Sequence, residues 1–126
     1  MGAQGARGLP GESADQQRDP RRRHDLSGQL GIDDTGALVP GGIGGQTRAC
    51  LEAIRDILAS YGASLADVVQ TRVFLTDFAG YADYNRVYQE FFSAPFPTRS
   101  TVGTPALALG AGIEIEAVAV LRRPGR

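Results

Sequence analysis

Ile113-Glu114-Ile115-Glu116-Ala117-Val118-Ala119-Val120 is the stretch whose reading decides the fold. Side chains alternate across a strand, so Ile113, Ile115 and Ala117 share one face while Glu114 and Glu116 project from the other. The first face is apolar enough to be core. The second sets carboxylates beside Val118 and Val120, and a carboxylate among apolar residues must find a partner. The nearest upstream candidate is Arg99, in Pro97-Thr98-Arg99-Ser100-Thr101-Val102, a second strand pattern separated from the first by the Gly- and Pro-broken stretch 103–112. If the two strands pair, one guanidinium and one carboxylate converge on a single pocket. Arg99 could there grip a substrate carboxylate while one Glu handles a water. Spacing alone does not choose between Glu114 and Glu116.

Working back from this pair, Asp77 is placed as the N-cap of a helix whose apolar face is Phe78, Tyr81, Tyr84, Val87, Tyr88, Phe91 and Phe92, stopped by Pro95 and Pro97. Those aromatics read as core, and Asn85 among them as an ordinary helix residue. Val68 to Thr76 is rich in β-branched residues and reads as a strand, preceded by a capping box or tight turn at Ser64 to Asp67. Before it, Cys50, Leu51, Ile54, Ile57, Leu58 and Tyr61 recur at helical spacing over 46–61 and end at Gly62. Cys50 lies on that stripe and reads as a small core hydrophobe, with no His or Lys near it to make a thiolate. The cluster Gly41-Gly42-Ile43-Gly44-Gly45 matches neither a dinucleotide fingerprint nor a Walker loop and reads as a flexible lead into this helix. Leu26 to Leu30 reads as a strand, followed by a turn at Asp33-Asp34-Thr35-Gly36.

The order strand, helix, strand, helix, strand, strand predicts an α+β domain with one sheet and two helices covering one of its faces. The uncovered face is too apolar for water, so burial against further copies in a closed ring is expected. Residues 1–25 are rich in Gly, Gln, Asp and Arg without periodicity and are expected to be irregular, leaving 26–126 as the domain. The run Arg21-Arg22-Arg23 and His24 read as solvated.

Composition removes whole reaction classes. The chain has 126 residues, 42% of them hydrophobic, enough for one core and too few for two ordinary domains. All 13 basic residues are Arg, which excludes a Schiff-base lysine, a Walker lysine and a lysine general base. His24 and Cys50 stand alone in their types, so one chain cannot assemble a His/Cys zinc site or an internal disulfide. A net charge of −1 gives no overall field for nucleic acid or an anionic membrane. Without an apolar run of membrane length or a signal-like start, a cytoplasmic location is expected.

Six motifs resemble those of the reactive-intermediate deaminases, the RidA-like family also called YjgF or L-PSP endoribonuclease. They are Leu26-Ser27-Gly28-Gln29-Leu30-Gly31, Gly45-Gln46-Thr47-Arg48, Asp67-Val68-Val69-Gln70-Thr71-Arg72-Val73-Phe74, Tyr84-Asn85 with Tyr88 and Phe91-Phe92, Pro97-Thr98-Arg99-Ser100, and Ile113-Glu114-Ile115-Glu116-Ala117. The resemblance implies a chorismate-mutase-like fold, a homotrimer with clefts between subunits, and no metal or cofactor. It implies hydrolysis of 2-enamino and 2-imino acids, such as 2-aminoacrylate and 2-iminobutanoate, to 2-keto acids and ammonia. On that pattern Arg99 holds the substrate carboxylate and Glu114, the first Glu of the pair, positions water. Asn85 and Gly28 match cleft residues. Thr101 stands where many relatives carry Cys and offers a backbone group and a hydroxyl. The family's Gly-Pro-Tyr start, with its cleft tyrosine, has no counterpart in Met1 to Asp25. Competing readings are a non-catalytic member that binds small carboxylates or acts by interaction, an endoribonuclease, and a deaminase of a larger substrate such as an aminomuconate.

Overall fold

The computed structural model describes residues 22–121. Of the irregular start expected over 1–25, residues 1–21 lie outside the described residues, as do the last residues of the domain, 122–126. Strands β1 (Arg23–Leu30), β2 (Val68–Leu75), β3 (Thr98–Gly103) and β4 (Ile113–Val120) form one sheet in the order β1-β4-β2-β3, with helices α1 (Gly42–Ser60) and α2 (Tyr81–Gln89). β4 is antiparallel to both its neighbours, so β1 and β2 run the same way, and β3 is parallel to β2.

This topology explains why both helices lie on one face. β1-α1-β2 and β2-α2-β3 are parallel crossovers that step in the same direction along the sheet, and crossovers of this kind are right-handed, which puts their helices on the same side. The core fills that side. Ile113, Ile115, Ala117 and Ala119 of β4, with Val73 and Leu75 of β2, meet Cys50, Leu51, Ile54 and Leu58 of α1 and Tyr84, Val87 and Tyr88 of α2. The alternation read in β4 holds residue by residue: its odd positions are buried and its even ones half-buried.

Several local readings change. β1 reaches back to Arg23, three residues into the segment expected to be irregular. His24 is not solvated: its ring packs 4.8 Å from that of Tyr61, and its buried Nε2 has no hydrogen-bond partner among the described residues. Burial, and then the positive charge of Arg22, lower the His24 pKa below its ordinary value. The glycine cluster is no loose lead but the first turn of α1, which begins at Gly42. Asp77 caps a short 3-10 turn, Phe78–Gly80, by accepting from the Ala79 amide, and α2 proper begins at Tyr81 and ends before Phe91. The capping box is present: Ser64 accepts from the Ala66 amide and Asp67 from the Ser64 amide. Gln46, buried in α1, accepts from the amide of Gly112 at 2.9 Å and so ties the β3–β4 connection to the helix. No helix among the described residues is long and apolar enough to cross a membrane.

Candidate active site

The strands carrying Arg99 and Glu114 do not pair. β2 lies between them, with Thr71 in register with Arg99 on one side and with Ala117 on the other. Two strand spacings across and three residues along put the two Cα atoms roughly 14 Å apart. They also face opposite ways. Arg99 shares the helix face with buried Thr71, whereas Glu114 pairs with Phe74 on the open face. The five residues expected to form one site therefore fall into two clusters on opposite sides of the sheet.

The first cluster surrounds Arg99. Its Nη1 donates to Oδ1 of Asn85 at 2.8 Å, and the guanidinium carbon lies 4.5 Å from the ring centre of Tyr88 and 5.5 Å from that of Tyr84. Helix geometry produces this bed, because residues four apart share a face and Tyr84 and Tyr88 therefore stack beneath the same side chain. Each ring is tethered to the sheet: the Tyr84 hydroxyl bonds Oγ1 of Thr101 at 2.8 Å and the Tyr88 hydroxyl bonds Oγ1 of Thr71 at 2.7 Å. Burial raises both phenol pKa values, so both rings keep their protons at neutral pH. Arg99 opens on a concavity of about 610 Å³ shared with Tyr88, Gln89, Phe92, Phe96 and Pro97. Both tyrosines are core residues, as their place on the helical stripe predicts, and their faces at the edge of that core also form the bed of Arg99.

Charge pairing separates Arg99 from the other arginines. Arg23, Arg48, Arg55, Arg72 and Arg86 each lie within 4.0 Å of a carboxylate. Among the described residues no carboxylate pairs with Arg99. A charged guanidinium held from below by two rings and from one side by a neutral amide has donors left for a ligand anion.

The second cluster is Glu114 with Gly28. Gly28 sits where β1 slips register against β4, between Leu26 and Gln29, and a Cβ there would overlap the Glu114 carboxylate. With the acid in this position only a glycine fits, and a larger residue would need the Glu114 carboxylate to move. Glu116, two residues on, is occupied: Arg72 Nε donates to it at 3.0 Å. Glu114 has no ion pair or hydrogen bond among the described residues, which is the difference between the two carboxylates in this structure. Cys50 is core, its thiol bonded to the Gln29 carbonyl at 3.1 Å and its pKa pushed up to about 12 by burial and then by the Glu114 charge.

The chain matches known proteins over most of its length. The family described as Endoribonuclease L-PSP matches residues 19–121. The chain is 40% identical over 96 residues to the 2-iminobutanoate/2-iminopropanoate deaminase of Bos taurus, covering 75% of this chain and 70% of that protein. Among solved structures, RidA from an Antarctic Psychrobacter superposes with a TM-score of 0.74 at 37% identity, covering 79% of this chain and 80% of that one. E. coli TdcF with bound serine superposes with a TM-score of 0.74 at 36% identity, covering 79% of this chain and 81% of that one. With its fold, its motifs and these relatives in agreement, the chain belongs to the YjgF/RidA family of reactive-intermediate deaminases, the Endoribonuclease L-PSP family.

Proposed function

We propose that this protein hydrolyses 2-imino acids, and the 2-enamino acids that tautomerise to them, to 2-keto acids and ammonia. The observation that carries this reading is that, among the described residues, Arg99 and Glu114 have no ionic partner, whereas Arg72 and Glu116 beside them on the sheet are paired with each other. Arg99 takes the substrate carboxylate through its free N–H groups and fixes the imine carbon. Glu114 accepts a proton from water as the oxygen adds to the protonated C=N carbon, giving a 2-amino-2-hydroxy acid. It returns that proton to the nitrogen and then takes the hydroxyl proton as the C=O bond forms and the C–N bond breaks, so that one water is consumed and ammonia leaves, carrying away as ammonium the proton that had activated the imine. Thr101 and Asn85 line the Arg99 side of the site, and Gly28 leaves room for the acid.

Since Arg99 and Glu114 face opposite ways in one chain, the working site is assembled between copies, with Arg99, Asn85 and Thr101 from one and Glu114 and Gly28 from the next, in a homotrimer. The half-buried open face, with Phe74, Val118 and Val120, supports that assembly. Bound serine in TdcF shows that a relative accepts a small amino acid with a free carboxylate, and the Bos taurus relative supports four- and three-carbon imines as substrates. The test is a coupled assay in which threonine dehydratase releases the imine and keto-acid appearance is followed. This protein should accelerate it; an unchanged rate from correctly assembled protein would leave only a carboxylate-binding role.

A further inference from the structure

Resting on that reading of Arg99, the geometry points to a positioning device beneath it: we infer that the hydrogen bond between Tyr84 and Thr101 sets the height and tilt of the Arg99 guanidinium, so that Thr101 acts through Tyr84 as well as lining the cleft. Arg99 is anchored from the side by one bond to Asn85 and rests on two rings. One side bond leaves the guanidinium free to rock about it, so the rings below decide where its remaining N–H groups point. Tyr84 is the ring most able to be fixed. It is fully buried, it stands edge-to-face with Tyr81 and Tyr88 at 5.2 and 5.9 Å between ring centres, and its phenol oxygen, which also interacts with Arg99, is bound to Thr101 at 2.8 Å. Thr101 is two residues from Arg99 on the same strand and the same face, so the bond ties the ring to the backbone that also carries the arginine. Ring, strand and guanidinium thereby form one closed loop of contacts. Tyr88, bonded to Thr71 on the neighbouring strand, supports the other side.

A hydroxyl at position 101 is thus used by the protein's own tyrosine. A methyl in its place would leave the phenol unsatisfied in a buried setting, and the ring would shift to find a partner. The effect should fall on carboxylate affinity.

The experiment measures binding of the product 2-oxobutanoate by calorimetry to assembled wild-type protein and to Thr101→Val, Tyr84→Phe, the double variant, Thr101→Ser and Arg99→Ala, with melting temperatures recorded for each. Thr101→Val and Tyr84→Phe should each weaken binding about three- to ten-fold, the double variant should be no weaker than either, and Thr101→Ser should restore the wild-type value. Wild-type affinity in Thr101→Val, or equal loss in Thr101→Ser, would overturn the inference while Arg99→Ala still abolished binding. Undiminished binding by Arg99→Ala would instead bring down the reading of Arg99 itself, and this proposal with it. A change confined to melting temperature would assign the pair a structural role only and also overturn it.

Discussion

Glu114 holds its place because Gly28 lacks a side chain, and that dependence is testable by adding one methyl group. Gly28→Ala should push the carboxylate aside and lower turnover by about 10²-fold, the scale expected for an ångström of misplacement, with keto-acid formation as the readout. Glu114→Gln should lower turnover by about 10² to 10⁴ while product binding survives. Glu116→Gln breaks a surface pair with Arg72 and should cost about 0.2 to 1 kcal/mol of stability without stopping turnover. His24 gives a separate signature. Its pKa is lowered in the fold, so the unfolded chain binds the proton more readily, and the stability this residue contributes is complete above the unfolded value near 6.5 and lost as pH falls through the folded one. Urea unfolding at pH 7.5 and pH 5 should show a loss on acidification that is smaller in His24→Gln. Sequence reading missed this histidine because its neighbours Arg22, Arg23 and Asp25 are polar, and only the strand's alternation turns position 24 toward Tyr61.

At the scale of elements, what carries a period was legible. The β4 alternation and the α1 stripe were read correctly because burial of one face leaves a repeat of two or of about 3.6 residues. Ile115 is the test of the β4 reading: fully buried between α1 and β2, Ile115→Ala should cost about 2 to 5 kcal/mol by chemical unfolding. Strand adjacency left no such trace. The single pocket read for Arg99 and a Glu was conditional on β3 and β4 pairing, and that condition fails, because β4 enters between β1 and β2 and leaves β3 on the edge. Register then sets the faces: Arg99 aligns with buried Thr71 on the helix side and Glu114 with Phe74 on the other. The candidate residues Arg99, Asn85, Thr101, Glu114 and Gly28 were therefore legible as motifs, whereas their division into two clusters was not, since nothing local in 97–102 or 113–120 records which strand lies beside which.

On the scale of the whole molecule, the proposed shared site requires a closed assembly in which each copy's Arg99 cluster meets another's Glu114 cluster, and that assembly would also cover the half-apolar open face. Light scattering at micromolar protein should give the mass of a trimer; a stable monomer would remove the shared site. Such an assembly would give Arg99 and Glu114, which have no ionic partner among the described residues, a shared ligand between copies. The most direct test mixes two variants that are each inactive, Arg99→Ala and Glu114→Gln, by joint refolding so that copies exchange. If each site takes its arginine and its acid from different copies, a random mixture holds both native residues at about a quarter of its sites, and keto-acid formation should recover to about a quarter of the wild-type rate. A mixture no more active than its two components would contradict the shared site.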